Sequence, residues 1–318
     1  EGRDVSRFPQ TILATCCVPW TAKGEVDEPI FRASIRGLID AGLRDLYVFG
    51  TAGEGYAVNE QQFDEVVAIF TGECRARAVE PMVGIISLSL STVIDRIERC
   101  LAQGITLFQL SLPSWGPLTE RELMVFFDET CGRFPEARFL HYNLQRAGRL
   151  VTPDEYAVLA DRHPNLVATK NARADIRTLA ALLDRAGSLR HFVTEPGWAY
   201  GSLMGDCGFL VSISSINPAL ARAYFEAGLR HDAAVLGELA RELNLMTDAL
   251  LGFGGPNVHM DGAYDKVFCK LLDPRFPLRL LPPYTGYDEA AFERFRAFLA
   301  ERFPRWLPDS SVAEGKIA

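Results

Sequence analysis

A single lysine, Lys170, lies near the end of the apolar run "LVATKN" (166–171). An ammonium group there is partly desolvated, which lowers its pKa and raises the fraction of neutral amine able to attack a carbonyl. Lys170 is therefore a candidate Schiff-base nucleophile, although a lysine salt-bridged at a rim fits the same position. Tyr142 and Asn143 close "ARFLHYN" (137–143). A phenol hydroxyl both donates and accepts, so beside an amine it can relay protons through carbinolamine formation, dehydration and carbon–carbon cleavage. A core tyrosine with a satisfied hydroxyl is the alternative. The stretch "GTAGEG" (50–55) has three glycines, which let the backbone fold tightly and present amide N–H groups and the Thr51 hydroxyl to a carboxylate. An ordinary turn reads the same way, and with no GK[ST] following it is not a phosphate loop.

Residues of this kind need strands to hold them. Eight β-branched or aromatic runs alternate with segments of helical periodicity: 11–18, 45–50, 81–86, 107–112, 137–143, 166–171, 191–196 and 209–214. Amphipathic segments such as 28–42, with Ile30, Ile35, Leu38 and Ile39, and 91–104, with Val93, Ile94, Ile97 and Leu101, can each cover a strand. Start signals at Asn59, at Thr119 with Glu122, and at Thr152 with Pro153 and Glu155, and stop signals at Gly42 and Gly104, agree with this division. Repeated βα units in about 220 residues predict an α/β fold, a (β/α)8 TIM barrel over 10–230. Three further helices, near 231–252, 259–272 and 287–303, form a C-terminal helical extension, 231–318, packed on the barrel.

In such a barrel the chemistry lies at the C-terminal ends of the strands. Alternation along "LVATK" places Leu166, Ala168 and Lys170 on one face, which must be the interior if the lysine is to reach the barrel mouth. The composition bounds the partners. With 33 basic residues scattered among 41 acidic ones and a net charge of -8, an electrostatic footprint for nucleic acid is missing. No apolar stretch approaches the roughly 20 residues that span a bilayer, and "EGRDVSRFPQ" has no apolar signal core. No membrane partner and a cytoplasmic location are expected. Seven cysteines (Cys16, Cys17, Cys74, Cys100, Cys131, Cys207, Cys269) without CxxC spacing read as buried thiols.

"GTAGEG", "YN" and "ATKNA" follow strands two, five and six in that order. Together they resemble the dihydrodipicolinate synthase and N-acetylneuraminate lyase superfamily of class I aldolases and lyases, over about Thr15 to Pro283. The resemblance implies that Lys170 forms an imine with a 2-oxo acid, usually pyruvate. It implies that Tyr142 shuttles protons and that Thr51 and the amides around Ala52 bind the carboxylate. Glu54 matches a glutamate of the family loop, here read as a brace. No cofactor and no metal are implied; the partners are a 2-oxo acid, an aldehyde and further copies of the chain, a homo-oligomer (dimer or tetramer).

Departures from the family pattern bear on the substrate. Thr51-Ala52 stands where two adjacent threonines are usual, and Ser114-Trp115 where a tyrosine completes a relay from the neighbouring subunit. An indole N–H donates but cannot accept, so lysine-precursor synthesis is not expected. Arg146 matches only loosely the arginine that holds a distal carboxylate. Glu195 at strand seven would repel a second carboxylate, with a solvent-facing glutamate as the alternative. Ser212 and Ser214 follow the interior phase of strand eight. Trp115, with Trp198 and Phe253 as candidate neighbours, predicts a bulky or aromatic aldehyde, as in hydratase-aldolases. Schiff-base dehydration of a 2-keto-3-deoxy sugar acid, and a catalytically degenerate barrel that binds a small acid, stay open.

Overall fold

The structure, a computed structural model, describes residues 7–172 and 175–308. All eight expected strands form: β1 (Ile12–Cys16), β2 (Asp45–Val48), β3 (Pro81–Gly84), β4 (Leu107–Leu110), β5 (Arg138–Asn143), β6 (Leu166–Asn171), β7 (Arg190–Val193) and β8 (Gly208–Val211). They close in chain order into one barrel. The (β/α)8 expectation holds, but several strands stop short of the residues drawn from the sequence. β2 ends before Phe49, which takes a left-handed φ of 65°, and β7 ends before Thr194, the N-cap of the next helix.

The chain forms two compact units. One comprises the residues up to Leu13 with Glu80–Leu210; the other comprises Ala14–Val79 with the chain from Val211 on.

In the first unit, β3 to β8 pair in parallel, Gly84 on Gln109, Gln109 on Leu140, Tyr142 on Lys170 and Lys170 on Phe192. The covering helices are α3 (Leu90–Ala102), α4 (Glu120–Phe127), α5 (Pro153–Arg162), α6 (Ile176–Arg185) and α7 (Glu195–Met204). Thr119 with Glu122 and Thr152 with Glu155 form reciprocal capping boxes. Inward and outward faces separate cleanly. His141 meets Tyr156 of α5 (Nδ1 to hydroxyl 2.6 Å) and packs edge-on against Phe127 of α4, so its strand neighbours Leu140 and Tyr142 face the barrel interior. The same alternation carries Ala168 and Lys170 inward. Leu166 is not placed by it, because the register shifts between Phe139 and Leu140.

The outward face of β5, β6 and β7 holds a directional polar chain. His191 donates from Nε2 to the Ala186 carbonyl (2.9 Å), and its Nδ1 accepts from the Thr169 hydroxyl (2.7 Å). Thr169 accepts in turn from the Asn171 amide (2.7 Å), and Asn171 from the Asn143 amide (3.3 Å). Burial lowers the pKa of His191 to about 4 and that of His141 to about 3, so both rings are neutral near pH 7.

The second unit carries β1 from Ala14 on, β2, α1 (Glu28–Asp40), α2 (Glu60–Ala76), α8 (Pro218–Leu229) and the three expected C-terminal helices, α9 (Ala233–Gly254), α10 (Asp261–Leu272) and α11 (Glu289–Arg302). Asn59 forms a capping box with Gln62 at the head of α2. All seven cysteines are buried and free; burial pushes the Cys74 and Cys207 thiols up to about 12, which makes them inert. No helix among the described residues is long and apolar enough to cross a membrane.

Candidate functional site

Lys170 is 4% exposed, and its Nζ lies 3.7 Å from the centroid of the Tyr142 ring. The two residues are register partners on the inward face of β5 and β6. Parallel pairing brings an amine and a phenol from residues 28 apart in sequence to one spot, inside the barrel and not at an exposed rim. An ammonium over a ring face gains a cation–π attraction. A neutral amine at the same place has a group beside it that can give and take a proton.

Asn143, named from the sequence as a substrate-binding candidate, points the other way. Its phase along β5 is outward. The amide nitrogen donates to the Val151 carbonyl (3.0 Å) as well as to Asn171, and its oxygen accepts from the Val151 N–H (2.9 Å). Asn143 thus ties down the loop that follows Tyr142. Glu195 is not a strand residue either; it opens α7 and is half-buried.

Trp115 is 89% exposed, whereas Trp198 is wholly buried and stacked on Phe209 at 5.3 Å. Phe253, in the other unit, packs edge-on against Phe298. Trp198 is therefore a core residue. Ser212, half-buried, follows β8, and Ser214 sits in a single 3-10 turn with its buried hydroxyl unpartnered among the described residues.

The loop "GTAGEG" belongs to the second unit. Thr51 and Ala52 are buried. Two of its glycines are required by close approach: a Cβ on Gly53 would lie 2.7 Å from the Phe49 nitrogen, and one on Gly55 2.7 Å from the Phe49 oxygen. The Ala52 methyl is in an apolar cluster with Cys17, Cys269 and Phe276. Position 52 therefore spends its side chain on packing. Glu54 is the brace expected of it. Fully buried, it accepts from Trp20 Nε1 (2.7 Å), Lys266 Nζ (2.6 Å) and the Leu281 N–H (2.6 Å). Desolvation lowers the pKa of Lys266, with Glu54 opposing the shift.

The reading of strand ends passed over Gln109, in the middle of β4. It is wholly buried, and neither its amide oxygen nor its nitrogen has a partner among the described residues; the same is true of the Ser111 hydroxyl. A glutamine in an otherwise apolar strand, "LFQL", was the available signal.

The chain is 23% identical over 276 residues to the 4-hydroxy-tetrahydrodipicolinate synthase of Exiguobacterium sibiricum, covering 84% of this chain and 90% of that one. It is 24% identical to a probable 5-dehydro-4-deoxyglucarate dehydratase of Delftia acidovorans, over 73% of this chain and 76% of that one. Among solved structures, YagE, a prophage protein of E. coli K12 in complex with pyruvate, superposes with a TM-score of 0.83 at 18% identity, covering 92% and 98% of the two chains. The model of the Dihydrodipicolinate synthetase family matches residues 9–272, and the chain belongs to that family.

Proposed function

We propose that the chain is a class I aldolase or lyase in which Lys170 forms an imine with a 2-oxo acid, pyruvate in the simplest case, and a carbon–carbon bond to an aldehyde is made or broken. The observation that carries this reading is the buried Lys170–Tyr142 pair, with Nζ 3.7 Å from the ring centroid. Desolvation favours the neutral amine over the ammonium. The amine adds to the ketone carbon, the carbonyl oxygen takes up a proton, and loss of water leaves the imine. In cleavage, the imine accepts the electron pair of the bond between C3 and C4 while the proton of the 4-hydroxyl departs. The products are an aldehyde and an enamine, which is protonated at C3 and hydrolysed to pyruvate. Tyr142, alternately donor and acceptor, moves these protons.

The pyruvate held by YagE and the synthase relatives support the aldolase direction. The Delftia acidovorans relative favours a second reading, in which the same imine eliminates water from a 2-keto-3-deoxy sugar acid. A product assay separates the two: pyruvate plus an aldehyde from the first, a 2-oxo acid one water lighter than its substrate from the second. Lys170→Ala should abolish both while the barrel stays folded by circular dichroism. Turnover retained by Lys170→Ala would refute the imine mechanism, and with it the role of the pair.

A further inference from the structure

Gln109 is wholly buried with both ends of its amide unpartnered among the described residues. A buried amide without hydrogen bonds is destabilising, so Gln109 is poised to take a bound group as its partner. Its face and height say which. Gln109 registers on Leu140, which faces the barrel interior because its neighbour His141 meets Tyr156 outside. The register row Gly84, Gln109, Leu140, Ala168, Arg190 begins at the last residue of β3 and ends at the first of β7. Rows therefore descend toward the N-terminal rim in that direction. In a barrel of eight tilted strands the stagger is about one residue per strand, and alternate strands fill each interior layer. Two strands beyond Gln109, the residue at the same height is not its row-mate Ala168 but Lys170, two positions further along β6. The unpartnered amide and the lysine share one layer.

We propose that Gln109 is a hydrogen-bonding residue of the imine site, whose amide holds the carbinolamine oxygen. The proposal rests on the Schiff-base reading above. When the Lys170 amine adds to the 2-oxo acid, the new C–N bond turns the carbonyl oxygen into a hydroxyl that carries a proton from nitrogen. The C–O bond then breaks with a second proton delivered to oxygen, releasing water and leaving C=N; hydrolysis runs the same steps backward. That hydroxyl is at once donor and acceptor. An amide matches it, with Nε2–H donating to the oxygen and Oε1 accepting its proton. Being uncharged, Gln109 adds no net charge beside Lys170 and Tyr142.

The test is the rate of imine formation, read by rapid quenching of enzyme and pyruvate into borohydride and counting the adduct on Lys170, for wild type, Gln109→Met and Gln109→Leu. At saturating pyruvate both variants should form the adduct about 10²-fold more slowly, the usual loss for one such donor. The half-saturating pyruvate concentration should change by less than about threefold, since the hydroxyl exists only after addition. The melting temperature should stay level or rise, because an unpartnered buried amide has been removed. Imine formation within about threefold of wild type at saturation would overturn the proposal, as would failure of both variants to fold, which would make Gln109 a residue of the fold. A wild type that traps no pyruvate would sink the Schiff-base reading itself, an outcome distinct from a normal rate in the variants.

Discussion

Replacing Glu54 by alanine removes one carboxylate from three donors at once: the Trp20 indole, the Leu281 amide and the Lys266 ammonium, at 2.6 to 2.7 Å. Lys266 has no exposure to solvent and would keep only the Arg279 carbonyl, at 2.6 Å. Breaking a buried ion pair by removing one partner costs about 3–5 kcal/mol. The orphaned indole and amide are worth about 1–3 kcal/mol each, overlapping with the first figure. One effect limits the total: burial already lowers the Lys266 pKa, so without Glu54 the lysine can shed its proton. About 4 kcal/mol is the expected loss, a large part of the roughly 5–15 kcal/mol that holds a folded domain together. At about 2–4 °C per kcal/mol, the lower end suiting a chain of this length, the melting temperature should fall by about 10 °C. Thermal unfolding followed by circular dichroism reads this directly. The double variant Glu54→Leu with Lys266→Met, which replaces the pair by apolar groups, should recover much of the loss. A fall of less than about 2 °C in Glu54→Ala would refute the brace, because it would mean the loop is held without its carboxylate.

Tyr142→Phe should keep the fold and lower turnover by about 10²–10⁴, the range for loss of a proton-transferring hydroxyl; a rate near wild type in a pyruvate-release assay would remove Tyr142 from the chemistry. His141 and His191 titrate at about 3 and about 4 in the folded chain against an ordinary 6.5, desolvation being the leading cause in each. Between those values the unfolded chain holds more protons, so stability rises with pH and is lost on acidification from pH 6.5. Urea unfolding at pH 7 and pH 5 should show it, at up to about 1.4 kcal/mol per unit for each ring, and equal stabilities would mean the rings are not kept neutral. Condensation of pyruvate with aspartate semialdehyde should be negligible if, as the family resemblance implies, Trp115 stands in place of the relay tyrosine, because an indole cannot accept a proton. An efficiency of about 10⁴ M⁻¹s⁻¹ or more would contradict that.

The barrel was legible because each strand is a short run of β-branched or aromatic residues closed by a turn, and because Asn59, Thr119 and Thr152 announce their helices. Lys170 and Tyr142 were legible as strand-end residues whose phase is inward. The phase of Asn143 and the element of Glu195 were less legible, for related reasons. One residue past Tyr142 the alternation turns outward, and β7 ends at Val193, so Glu195 begins a helix. The brace role of Glu54 could be read from the loop, but its partner Lys266 lies 212 residues away, a distance no local pattern spans. Gln109 shows the opposite failure. Its type was visible, yet its meaning depends on register and stagger, which set its height against Lys170 and exist only in the closed sheet.

Borohydride reduction in the presence of pyruvate, followed by peptide mass spectrometry, tests the account most directly. Lys170, buried beside the Tyr142 ring, should carry one reduced pyruvyl unit, and activity should be lost in proportion to the modification. An unmodified Lys170, or an adduct on Lys266 or Lys270 in its place, would contradict the imine mechanism.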